Sequence, residues 1–128
     1  MANKFHNPAS VTVVGKYSLG GEVPAGSRVL YVSGQVGLDG KGKLAATIEE
    51  QCDLAWKNIG QVLEAAGMAY RDIVKINAYI TDPRYMPAYR EARAKCIPDA
   101  PFPASTLVIV SGLAEPDMKV EVEVVAAK

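Results

Sequence analysis

The feature that most constrains this chain is its C-terminal run from Pro101 to Ala126, PFPASTLVIVSGLAEPDMKVEVEVVA. Near its end the residues alternate strictly. Val120, Val122 and Val124 fall on one side of an extended chain, and Lys119, Glu121 and Glu123 on the other. A helix would scatter these groups around its circumference, so the pattern calls for a strand with one buried face. Residues from about Ala104 to Val110 are also β-branched and apolar. Gly112, Glu115, Pro116 and Asp117 lie between the two runs and carry turn chemistry. The expectation is a closing hairpin that sets Glu121 and Glu123 opposite Ser105 and Thr106.

Upstream, residues from Met1 to Ser10 read as a polar, irregular lead-in, with His6 exposed and idle. Val11 to Leu19 reads as a strand or bent pair, and Gly20 to Ser27 as a loop. Arg28 to Val36 is a strand with Leu30, Val32 and Val36 on one face and Tyr31, Ser33 and Gln35 on the other. Gly34 inside it predicts a bulge or the close approach of another group. Thr47 to Ala66 is a helix. Thr47 followed by Glu50 fits a capping box, Ile48, Cys52, Ala55, Ile59 and Val62 recur at helical spacing, and Gly67 suits a left-handed terminator. Trp56 lies beside that stripe and reads as edge packing. Asp72 to Thr81 is a strand with Val74, Ile76, Ala78 and Ile80 on its apolar face; Met86 to Cys96 is a shorter helix, with Pro87 in its first turn.

Strands and helices in this order make one α+β domain over residues 1–128. Two helices cover only one sheet face. The other is expected to carry Tyr31, Ser33, Gln35, Lys75, Asn77, Tyr79, Ser105, Leu107, Ile109, Glu121 and Glu123. That mixture is too apolar for open water and too polar for a core, which suits burial against further copies of the chain.

Lys+Arg 14 against Asp+Glu 14 leaves no basic footprint for nucleic acid or a membrane surface. No apolar run is long enough to span a bilayer, and no signal-peptide core is present, so a cytoplasmic location is expected. Cys52 and Cys96 lack metal-ligand spacing and read as small hydrophobes in a reducing compartment. With a single histidine and none of the nucleotide, zinc or serine-hydrolase motifs, no metal and no cofactor are expected. Carboxylates, a phenol, hydroxyls and backbone groups remain. That set can hold a water and aim it at an electrophilic carbon that needs little activation, such as an iminium carbon.

Tyr17-Ser18, Ser33-Gly34-Gln35, Asp72-Ile73-Val74-Lys75, Pro103-Ala104 and the V-E-V-E strand occur in this order across nearly the whole chain. In this the chain resembles the RidA/YjgF family of reactive-intermediate deaminases. The resemblance implies a chorismate-mutase-like fold, a homotrimer with sites in the clefts between subunits, and hydrolysis of small-molecule imines or enamines without cofactor or metal. It also implies roles for particular residues. Glu121 is the water-positioning acid/base, and Gly34 offers its backbone carbonyl to the same water. Leu107 offers its backbone N–H to the substrate, Tyr17 closes the cleft, and Ser105 and Thr106 line it. Read alone, Glu121 is a solvated carboxylate or half of a salt bridge sooner than a catalytic group, and Tyr17 a packing residue. The resemblance reverses that order.

One departure stands out. Deaminase members carry Pro-Ala-Arg where this chain has Pro103-Ala104-Ser105. The arginine grips the substrate carboxylate with a two-pronged fork, whereas serine has one short hydroxyl. Three readings of Ser105 stay open. The substrate lacks a carboxylate there, and Ser105 or Thr106 donates to a neutral oxygen; or another cation takes over, Arg28, Lys75, Arg90 and Arg93 being candidates; or the site no longer does chemistry and Ser105 is simply a strand residue, the chain then being a non-catalytic small-molecule or protein binding module on the same scaffold. A ribonuclease role, attributed to relatives, ranks below these for want of clustered basic residues.

Overall fold

The computed structural model describes residues 2–128. In chain order the main elements are strands β1 (Lys4–His6), β2 (Gly20–Glu22) and β3 (Val29–Gln35), helix α1 (Ile48–Ala65), strand β4 (Ile73–Ile80), helix α2 (Met86–Cys96), and strands β5 (Ala104–Ile109) and β6 (Val120–Ala127). The order β3-β6-β4-β5 forms a mixed sheet, and β1 and β2 form a separate antiparallel ribbon. Both helices pack on one sheet face, as the α+β reading expects.

Alternation decides which face of each strand is buried. Ile76, Ala78 and Ile80 of β4 and Val120, Val122 and Val124 of β6 join Cys52, Ala55, Ile59 and Leu63 of α1 in one core. Each valine, leucine or isoleucine among them contributes about 1.5–3 kcal/mol by leaving water. Helix α1 starts where the sequence predicts, with the Glu50 amide donating to Thr47 Oγ1 at 3.2 Å. It ends before Gly67, whose φ of +71° is easy only for glycine. Trp56 is not edge packing. It is 1% exposed and stands at the centre of the helix layer, with its ring 6.3 Å from Tyr70 and 6.4 Å from Tyr89.

The expected closing hairpin does not form. Strand β5 pairs in parallel with β4, and β6 pairs antiparallel with both β3 and β4. The cause is the β4–α2–β5 crossover. A strand, a helix and a second strand return the chain alongside the first strand in parallel, so β5 occupies one edge of β4. The chain then passes over the end of β4, where the Thr81 amide donates to the Lys119 carbonyl at 3.1 Å, and lays β6 on the other edge.

Three local expectations also change. Lys4–His6 is a strand, paired with Gly20–Glu22, and His6 Nε2 lies 2.7 Å from Glu22 Oε1. No strand lies within residues 11–19; a single parallel bridge joins Ser18 to Ala104. In β4 the register shifts between Ile73 and Lys75, so Ile73 enters the core and Val74 is covered by Gly21 of the ribbon.

Candidate functional site

Strand register assembles a polar row on the sheet face that no helix covers. Glu121 of β6 lies opposite Tyr79 of β4, and Glu123 opposite Asn77. Asn77 in turn lies opposite Thr106 of β5. Within this row most groups pair off. The Tyr79 hydroxyl donates to Glu123 Oε1 at 2.5 Å, and Lys75 Nζ donates to Thr106 Oγ1 at 2.7 Å. The Tyr79 phenol is pushed up from its usual range, first by this bond to Glu123, then by burial and the two neighbouring carboxylates. Glu121 is half-buried and, among the described residues, enters no hydrogen bond or salt bridge.

The Glu121 carboxylate rests against Gly34. A Cβ built there would collide with Glu121 Oε2 and stand 2.8 Å from its Cδ. Gly34 lies inside the register shift between Val32 and Gln35, so both features expected of this glycine, bulge and close approach, are present. The extra residue also moves Gln35 opposite Val122, which belongs to the buried face. Gln35 therefore leaves the face it was expected to share with Tyr31 and Ser33, because a shift of one residue inverts a strand's sides.

A residue the sequence reading passed over holds this arrangement in place. Gln51 is 0% exposed. Its Nε2 donates to the carbonyls of Ala45 at 2.9 Å and Asp117 at 3.0 Å, and its Oε1 accepts from the Lys119 amide at 2.9 Å. It thereby ties α1 to the segment that enters β6. The available signal was its spacing: three residues after Ile48 and four before Ala55, it is a polar residue on the apolar stripe.

Ser105 and Leu107 lie elsewhere. Pairing of Asn77 with Thr106 puts Thr106 on the open face and turns Ser105 and Leu107 to the helix side, the reverse of the expected facing. There they line a cleft of about 660 Å³ together with Lys16, Tyr17, Arg90 and Arg93. Tyr17 is carried over β5 by backbone pairing, since the Ser18 amide donates to the Pro103 carbonyl at 3.0 Å. Its hydroxyl accepts from the Val14 amide at 3.3 Å. The six residues singled out from sequence thus fall into three places. Glu121 and Gly34 touch each other on the open face; Tyr17, Ser105 and Leu107 share the cleft; Thr106 is held by Lys75. Glu121 and Gly34 do not line the cleft within one chain.

Among the described residues no group of three or more His, Cys, Asp or Glu is placed to hold a metal ion, and no helix is long and apolar enough to cross a membrane. Burial pushes the Cys52 thiol up to about 12, helped by the charges of Asp53 and Glu49, so it is a poor nucleophile.

Comparison with known proteins fits this architecture. Residues 8–128 match the family described as Endoribonuclease L-PSP. The chain is 35% identical over 127 residues to a RutC family protein of Aquifex aeolicus, covering 98% of each. It is 30% identical over 118 residues to 2-iminobutanoate/2-iminopropanoate deaminase of Dermatophagoides farinae, covering 91% of this chain and 88% of that one. Among solved structures, YyfB of Yersinia pestis, a protein of unknown function of the conserved Rid family, superposes with a TM-score of 0.87 at 26% identity over 100% of both chains.

Proposed function

Because this chain belongs to the Endoribonuclease L-PSP family, the RidA/YjgF group, we propose that it hydrolyses small imines or enamines, with Glu121 directing the attacking water. The observation that carries this reading is the contrast between two carboxylates on one strand face. Glu123 is engaged by Tyr79, whereas Glu121 is uncommitted and held against the Gly34 backbone. An unpaired carboxylate beside a half-buried glycine, with no side chain between them, is suited to hold a water.

The chemistry balances without a cofactor. Water attacks the carbon of a protonated imine while Glu121 accepts one of its protons. Glu121 then returns that proton to the carbinolamine nitrogen and takes the hydroxyl proton as the C–N bond breaks, leaving a carbonyl compound and ammonia, which carries the last proton away as ammonium. Glu121 supplies only proton transfer, so its removal should lower the rate by about 10²–10⁴-fold.

The complete site, in this proposal, forms between subunits. Within one chain Glu121 and the Ser105 cleft are separate, and the uncovered face bears exposed Val29, Val108 and a Tyr31 that is 78% exposed. Apolar groups on a polar sheet face support burial against other copies, and the family resemblance supplies the number three. Ser105 in place of the carboxylate-gripping arginine implies a substrate preference different from the usual imino acids. Balanced charge disfavours the ribonuclease reading.

The test is ammonia release from imines generated in situ out of carboxylated and neutral amines, comparing wild type with Glu121→Ala and Glu121→Gln. Turnover by wild type that both variants lose supports the proposal. Turnover that survives in Glu121→Ala overturns it, and inertness of wild type on every imine favours the binding module. Light scattering checks the assembly, with a trimer expected.

A further inference from the structure

The cleft at Ser105 contains more charge than the strand residue it replaces would have supplied. Arg90 and Arg93 stand three residues apart on α2, so they share a helix face, and Lys16 approaches from the segment that carries Tyr17. Against these three cations the cleft presents one carboxylate, Glu91. Among the described residues none of the three cations enters a salt bridge. The Arg93 guanidinium carbon lies 5.9 Å from the centroid of the Tyr89 ring, within cation–π reach, which restrains it. The other cations weighed from sequence are engaged elsewhere. Arg28 donates to the Ala66 carbonyl at 3.1 Å beyond the end of α1, and Lys75 is bonded to Thr106 on the open face.

We propose that Arg90 and Arg93, supported by Lys16, form an anion subsite that receives a carboxylate of the substrate from the α2 side of the cleft, in place of a strand arginine at Ser105. The inference rests on the reading of this cleft as the substrate half of the site. It also sets the class of ligand. Beside the cations the cleft wall is apolar, formed by Met86, Ile97 and Leu107, a lining that a three- or four-carbon imino acid has no hydrocarbon to match. The fitting substrate is a longer or cyclic imine or enamine whose carboxylate is separated from the reacting carbon by a hydrocarbon portion. Ser105, with its single hydroxyl, leaves room for that portion where an arginine would fill the space.

The experiment is calorimetric binding of 3-phenylpropanoate and its neutral amide, 3-phenylpropanamide, to the full chain, with no turnover involved. The carboxylate should bind wild type more tightly than the amide. Arg90→Gln, at an exposed position that leaves packing intact, should weaken the carboxylate several-fold, and the double variant Arg90→Gln/Arg93→Gln by about tenfold or more. Amide binding should stay unchanged in both. The double lysine variant should keep part of the affinity, and adding Ser105→Arg to the double glutamine variant should restore carboxylate preference. Equal carboxylate affinity in wild type and both glutamine variants overturns the subsite, as does a parallel loss of amide binding. Inert imines combined with charge-dependent carboxylate binding would remove the deaminase reading and leave the subsite standing. Turnover lost in Glu121→Ala with charge-independent carboxylate binding would do the reverse.

Discussion

The uncovered sheet face and the cleft beneath α2 are both polar, and they handle charge in opposite ways. On the sheet face, neighbours are set by strand register, and short fixed spacings let groups satisfy one another: Tyr79 with Glu123, Lys75 with Thr106. One carboxylate, Glu121, is left over and is pressed against a glycine backbone. In the cleft, the charges come from a helix and a loop, and three cations face one carboxylate without an ion pair among the described residues. A face organised by register isolates a single reactive group. A cleft walled by separate elements keeps a surplus of one sign, and such a surplus attracts an oppositely charged ligand.

The largest effect is expected at the entry to β6, the strand that carries Glu121. Gln51→Ala leaves the Ala45 and Asp117 carbonyls and the Lys119 amide without their buried partner. It should lower stability by roughly 3 kcal/mol in chemical denaturation, since each buried unsatisfied group costs about 1–3 kcal/mol. A loss well under 1 kcal/mol would mean that the entry into β6 holds itself.

Gly34→Ala attacks the open face alone. The added methyl must displace the Glu121 carboxylate, and a shift of about 1 Å in a reacting group can cost about 10²-fold in rate. Carboxylate affinity in the cleft, measured separately, should not follow. Undiminished ammonia release in this variant would show that the bulge does not position the acid/base.

Tyr79→Phe sharpens the contrast between the two carboxylates. The Tyr79 phenol is raised in the folded chain because Glu123 accepts its hydrogen bond, so its contribution to stability is fully present below the ordinary phenol pKa. That contribution is lost as pH rises through the folded value. Ultraviolet titration should therefore show one fewer late-ionising tyrosine in Tyr79→Phe, together with a weaker decline of stability on the alkaline side. An unchanged titration curve would argue that Glu123 is not so engaged.

The smallest effect is expected at Lys75, a cation on the wrong face. Lys75→Met should alter carboxylate affinity by less than about twofold, because its ammonium is bonded to Thr106 on the side away from the cleft. A tenfold loss would move the anion subsite to the open face.

Much of this was legible in the chain itself. The valines of β6, the Thr47 cap, the Gly67 terminator and the oddity of Gly34 each depend on residues close in sequence, where spacing and backbone preference carry the information. Local spacing misleads where a distant partner has the deciding role. Val11 to Leu19 has strand-like composition but finds only one bridge, and Lys4–His6 has little strand character yet pairs with Gly20–Glu22. Trp56 lies beside the apolar stripe in sequence, yet its neighbours Tyr70 and Tyr89 come from other elements and make it central.

By itself, then, the sequence determined the α+β class, the positions of both helices and the buried valines of β6, because periodicity and capping are local properties of the chain. Tertiary structure alone decided that β6 lies between β3 and β4, that Ser105 faces α2 while Thr106 faces away, and that Arg90 and Arg93 enter the Ser105 cleft. Those outcomes depend on strand order and on single-residue register. Both are settled by contacts between segments far apart in the chain, and a shift of one residue exchanges the two faces of a strand.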